Sequence, residues 1–198
     1  MRPFPFAPVV APVAVLMAAL VAAPAVSQDL PSMRDASALV FAEDGAVEWE
    51  VIPDPALSEA DLATLDQINR VQPQPYYAAL AIAPDAGLAS EMTALAANYH
   101  DEANARTAAL DACEARRDEQ GAPCIVALVI RPEGWEPGRP LQLSSQATAA
   151  LRDEYRALPR RNRAMAISPS TGQWAVGEGR PAAIEACGAP DCVVVVEG

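Results

Sequence analysis

The chain has one histidine, His100, in "NYHDEA", with Asp101 and Glu102 beside it. An imidazole next to an acid is half of a general-base arrangement. The other half is a nucleophile delivered by the fold, for which Ser90, Ser144 and Ser145 are available. The competing reading puts His100 in the loop entering a helix with an acidic first turn and Asp101 as its cap. A lone histidine without a surrounding motif favours this second reading. Glu178 stands between glycines in "WAVGEG" (174–179). It is the carboxylate to watch for hydrolysis, although such glycines more often mark a bulge or a strand end. Other acids are plentiful, but spacing along the chain does not reveal two carboxylates facing each other across a cleft.

The one basic cluster is "YRALPRRNR" (155–163), with Arg156, Arg160, Arg161 and Arg163, and Arg152 one turn earlier. Arginine presents a forked donor suited to phosphate or carboxylate, so these residues form a candidate anion site. Cations that follow a helix C-terminus also complement its dipole and lie in solvent. Tyr76, Tyr77 and Trp174 could line a ligand pocket, but aromatics on strands more often belong to the core. All 14 basic residues are arginine. Without lysine, pyridoxal-phosphate and Schiff-base chemistry is excluded, as is a lysine-dependent P-loop. No metal-ligand histidine pair or nucleophile elbow occurs, and no cofactor or metal is expected.

The four cysteines are placed by a repeated phrase. "GAPCIVALVI" (121–130) follows Cys113, and "GAPDCVVVVEG" (188–198) follows Cys187. Around "AIAPDAG" (81–87) and "AISPSTG" (166–172) the same order recurs. "LSEADLATLDQINR" (57–70) and "LSSQATAALRDEYR" (143–156) are helical upstream. In the first, Ser58 with Asp61 makes a capping-box start. Downstream come an extended stretch, a helix ending in cysteine ("DEANARTAALDAC" or "PAAIEAC"), a second cysteine and an apolar strand. Pro84 and Pro169 supply the fixed φ of a turn that Gly87 and Gly172 complete. This sustained order reads as an internal duplication. The runs "YYAALAIA" (76–83) and "VVVV" (193–196) suit strands buried on both faces.

The expected fold is α+β, with two tandem helix–strand–turn–strand–helix–strand units, 57–130 and 143–198, joined by a linker over 131–142. An N-terminal extension, 28–56, carries a hairpin turning at Asp44-Gly45, because Val47, Trp49 and Val51 alternate with Glu48 and Glu50. Four cysteines allow three pairings, and the duplication selects Cys113–Cys124 and Cys187–Cys192, one staple per unit. The rival is a four-cysteine zinc site. Its usual knuckles have two to four intervening residues, whereas these intervals are ten and four.

Residues 1–27 read as an export signal: Arg2 is the only charge before Asp29, Val9–Ala23 is apolar, and "APAVS" offers small residues for cleavage. Pro12 and Pro24 leave eleven residues between them, short of the roughly 20 that span a bilayer, and no membrane anchor is expected after cleavage. The net charge is −12, and loss of the leader removes one arginine and no acid, leaving −13. That repels nucleic acid and suits a basic partner. Exported cysteines are expected to be paired.

The Ala-rich strand, turn, strand, helix-to-cysteine, cysteine and strand resemble the bacterial family catalogued as domain of unknown function 4189. The matching residues are "AALAIAPDAG…ANYHDEANARTAALDAC…CIVALVI" and "AMAISPSTGQWAVGEG…AAIEAC…CVVVV", over about 76–130 and 164–198. The second copy departs by its shorter helix. Proteins similar to these sometimes carry a 5-aminolevulinate synthase name, a chemistry that the missing lysine excludes. The resemblance implies an exported, cysteine-stapled domain with no assigned activity. The expected function is therefore a periplasmic or secreted non-enzymatic binding domain with an unknown protein or envelope component as its partner. A homodimer is possible through the terminal strands. A small carboxylate- or His100-dependent hydrolase is the alternative, and an inhibitor of a basic exported enzyme or toxin the narrower one.

Overall fold

The computed structural model describes residues 30–198; the expected leader lies outside the described residues. Six helices and seven strands are formed by these residues. In chain order they are α1 (Met33–Leu39), β1 (Val47–Val51), α2 (Glu59–Val71), β2 (Ala78–Ile82), β3 (Ala94–Ala96), α3 (Glu102–Glu114) and β4 (Ile125–Pro132). The rest are α4 (Ser145–Arg152), α5 (Glu154–Ala157), β5 (Ala164–Ile167), β6 (Trp174–Gly177), α6 (Arg180–Cys187) and β7 (Val193–Glu197). The fold is mixed α and β with two antiparallel sheets, ordered β1-β4-β2-β3 and β6-β5-β7. No described helix is long and apolar enough to cross a membrane.

Alternation along β2 explains the first half. Ala79 and Ala81 pack with Ala105, Ala109 and Cys113, a stripe of small residues at i, i+4 and i+8 on α3. Small residues on both surfaces let the helix lie close to the sheet. On the opposite face Ile82 packs with Leu57 and Leu65, under α2. The second half is built alike. Ala164 and Ala166 meet Ala183 and Cys187 of α6, while Met165, Ile167 and Val196 pack with Leu151 and Tyr155.

The two sheets also correspond in register. β2 pairs with β4 through a shift between Leu80 and Ala81, and β5 pairs with β7 through a shift between Met165 and Ala166. These two steps occupy the same place in "AIAPDAG" and "AISPSTG". Gly87 and Gly172 both take the left-handed conformation, φ 78° and 73°, which only glycine adopts without strain. Each donates its N–H to the carbonyl four residues back, Ala83 or Ser168.

Cys113 is bonded to Cys124 and Cys187 to Cys192, both with Cα atoms 6.2 Å apart. Each bridge ties a helix end to the start of the next strand. A carboxylate braces each bridged loop against the turn of its own sheet. Asp85 accepts from the Ala122 N–H at 2.6 Å, and Asp191 accepts from the Ser168 hydroxyl and the Ser170 N–H. Those hydrogen bonds hold Asp191 at a pKa of about 2. Replacing Cys113 and Cys124 together by serine should lower stability by roughly 2–3 kcal/mol, since the bridge closes a short loop in the unfolded chain. The check is the urea midpoint, and an unchanged midpoint with retained slope would show that the staple contributes nothing.

Three expectations are corrected. Residues 37–53 do not form a hairpin: 33–39 is helix, and β1 pairs with β4 from Val47↔Pro132 to Val51↔Leu128. Ser32 caps that helix, its hydroxyl accepting from the Asp35 N–H, and the turn at Gly45 redirects the chain onto a strand far along the sequence. The segment 143–156 is not one helix but two, broken at Asp153 (φ −102°, ψ −72°). Finally, β7 is an edge strand with Val193 48% exposed, so its run of valines is buried mainly through Val196.

Candidate functional site

His100 is 1% exposed, and both ring nitrogens face backbone. The Ser144 N–H donates to Nδ1 at 3.2 Å, which leaves the proton on Nε2, and Nε2 donates to the Gln173 carbonyl at 3.0 Å. Burial pushes the imidazole below its ordinary value of 6.5, and the Gln173 carbonyl and the Asp101 charge only partly oppose this. A neutral ring with both nitrogens committed has no lone pair for a substrate proton. Asp101 caps α3 by accepting from the Asn104 N–H at 2.8 Å. Glu102 is held by Arg106 and Arg131.

What His100 does is join the two halves. Asn98, at φ 63°, accepts from the Ser145 hydroxyl and the Gln146 N–H. A methyl group on Gly172 would stand 3.0 Å from the Asn98 carbonyl, so this junction requires glycine twice over, for conformation and for space. Ser144 takes part only through its N–H and through its hydroxyl, which caps α4. Tyr76 and Tyr77 are fully packed core residues, and Trp174 borders an open hollow beside Asn98 and Gln146.

Glu178 is exposed, just beyond the end of β6. Its glycine neighbours have structural causes. A methyl group on Gly177 would meet the Ala183 nitrogen at 2.5 Å, and Gly179 opens α6 at φ 86°. His100 is buried at the junction, whereas Glu178 is exposed beyond β6.

The arginines behave differently. A groove of about 430 Å³ is lined by Met33, Arg34, Ser37, Arg156, Arg160 and Arg163. Arg34 comes from α1, Arg156 from α5, Arg160 from the turn after Pro159, and Arg163 from the residue before β5. Arg161, part of the same sequence cluster, is exposed and lies outside the lining. None of the ion pairs among the described residues uses Arg34, Arg156, Arg160 or Arg163. Glu197, the acid of β7, is held instead by Arg180.

Arg163 is the fixed point. Its backbone exchanges two hydrogen bonds with Gly198, both 3.2 Å. Its guanidinium carbon stands 4.7 Å from the centre of the Tyr155 ring. The residue is 9% exposed, and its Nε is buried without a hydrogen-bond partner among the described residues. A buried donor left unpaired is costly; Nη1 of the same guanidinium donates to the Tyr155 carbonyl at 3.5 Å, and the side chain forms part of the groove lining. No protein-family model, curated protein or solved structure matches the chain.

Arg34 is the residue that sequence reading missed. A signal for it exists: Ser32 and Asp35 have the same S-x-x-D spacing as Ser58 and Asp61, which opens α2. That spacing announces α1, but only packing brings α1 beside Arg163. Among the described residues no group of three or more His, Cys, Asp or Glu side chains could hold a metal ion.

Proposed function

We propose that this chain is an exported, disulfide-stapled binding domain of the bacterial envelope, without catalysis of its own, that holds an anionic group of its ligand in the arginine groove. The observation that carries this reading is the convergence of four arginines, none ion-paired among the described residues, on one groove of a chain with net charge −12. Two disulfides support an extracytoplasmic place. The two halves, on this proposal, are copies of one ancestral unit, which the matched registers and staples support; kinship with the domain-of-unknown-function family rests on the same motifs. Hydrolysis gains no support from His100, whose nitrogens are occupied.

The test is thermal denaturation of the mature chain against a panel of singly and multiply charged anions. At least one multiply charged anion should raise the midpoint, and the double variant Arg156→Gln/Arg160→Gln should abolish that rise while leaving the ligand-free midpoint nearly in place. If no anion shifts the wild-type midpoint, the groove is not a binding site.

A further inference from the structure

Resting on that reading, we propose that the groove is a site for a small soluble phosphate ester or pyrophosphate, gripped by Arg34, Arg156, Arg160 and the buried guanidinium of Arg163. The donor set selects the class. A carboxylate has one charge and two oxygens, which a single arginine fork satisfies; three further guanidinium groups would then repel one another across the groove. A phosphate group carries nearly two charges and three terminal oxygens, and a pyrophosphate more, which engages several forks at once. No lysine, histidine or carboxylate lines the groove, so recognition falls to forked donors throughout.

Size and polarity agree. About 430 Å³ exceeds what one phosphate fills and matches the small-ligand range, leaving room for a second phosphate or a small organic group. Met33 offers that group an apolar wall, and the Ser37 hydroxyl, which donates to the Met33 carbonyl at 2.7 Å, offers it an acceptor. The source is argued from charge. With a net charge of −12 the whole molecule is repelled by an anionic membrane surface, whereas a small ion within a Debye length, about 8 Å, of the four arginines feels mainly their field. A soluble phosphate therefore has the advantage over a lipid headgroup of the same chemistry.

Binding should also fasten α1 to the second sheet. Only Ala36 of that helix is fully buried, and its ends are held by the Glu197 N–H donating to the Pro31 carbonyl and by Arg139 donating to the Leu39 carbonyl. An anion bridging Arg34 to Arg163 adds a third tie. Protection of the α1 amides from hydrogen exchange should rise on binding.

Isothermal titration of the mature chain with pyrophosphate, citrate and acetate, together with sedimentation of vesicles containing phosphatidic acid, decides the proposal. Pyrophosphate should bind, and Arg34→Gln or Arg160→Gln should each weaken it roughly 10-fold or more, as loss of a charge-assisted contact does. Arg161→Gln should leave affinity unchanged. Arg163→Lys, which keeps the charge and loses the fork, should weaken binding even where folding is intact; its melting curve separates the two effects.

Equal binding of citrate and pyrophosphate would overturn the phosphate assignment and leave the anion-binding reading standing. Vesicle binding without pyrophosphate binding would overturn the soluble source. If none of these anions binds, and the wider panel leaves the melting midpoint unmoved, this assignment and the anion-binding reading fall together.

Discussion

Deleting residues 192–198 should unfold the second half of the molecule while the first sheet keeps its structure. The deletion removes β7, which pairs with the fully buried strand β5 from Ala164↔Glu197 to Ile167↔Val193. It removes Val196, wholly buried against Met165 and Leu151, and it frees Cys187. What remains of the sheet is a two-stranded ribbon of four-residue strands, which has no independent stability in water. The Arg163 backbone loses both of its hydrogen bonds to Gly198 as well. Against a total stability of about 5–15 kcal/mol, the loss of a core strand and a staple leaves nothing for this half to fold on. Hydrogen exchange reads the result directly. Amides of β5, β6 and α6 should exchange at unprotected rates, whereas those of β2 and β4 stay protected. Native protection of β5 in the truncated chain would show that β7 is an accessory strand. Val196→Asp is the milder form of the experiment, since it places an unpaired charge in the same buried position.

The parts of this fold that were legible in the sequence depend on local or repeated signals. The staples followed from a phrase written twice, and α2 and α3 from Ser58 with Asp61 and from Asp101, whose side chains satisfy the first amides of their helices. The failures share one cause, that the deciding partner is distant along the chain. Asp44-Gly45 signals a reversal, and it is one, but the strand after it pairs with residues 77 to 85 positions further on, Val51↔Leu128 to Val47↔Pro132, instead of with its predecessor. The valines of β7 look like a strand buried twice over, yet sheet order leaves them at an edge, and no local pattern encodes sheet order. The arginine groove was half legible. Arg156, Arg160 and Arg163 share a stretch of sequence, whereas Arg34 reaches them only because α1 packs near β7, and Arg161 is excluded by the direction in which the turn after Pro159 presents it. His100 was legible as a residue beside a cap, but its work at the junction involves Ser144 and Gln173, 44 and 73 positions away.

That junction yields the second large effect. His100→Ala should cost roughly 2–4 kcal/mol, because it leaves the Ser144 N–H buried without a partner, leaves the Gln173 carbonyl with the Ser168 N–H as its remaining donor, and opens a cavity between the halves. A hydrolase that used His100 as its base would lose activity and keep its stability, so the urea midpoint separates the two roles. Acid gives an independent reading. The folded pKa of His100 is below the unfolded value of 6.5, so between the two the unfolded chain binds a proton that the folded chain refuses. The contribution of His100 is therefore complete above pH 6.5 and is lost as pH falls from 6.5 through the folded pKa, by at most about 1.4 kcal/mol per pH unit. Burial is the main physical cause, and the geometry agrees with it: a proton on Nδ1 would point at the Ser144 N–H, donor against donor. His100 is the only histidine, and the shifted carboxylates are all lowered from 4.5 or less, so the slope between about pH 8 and 6, above the range where the carboxylates of the unfolded chain take up protons, belongs to this residue. In His100→Gln, which can donate to Gln173 but does not titrate, that slope should disappear. A slope that survives the substitution would mean that the two halves are held together by something other than the neutral ring.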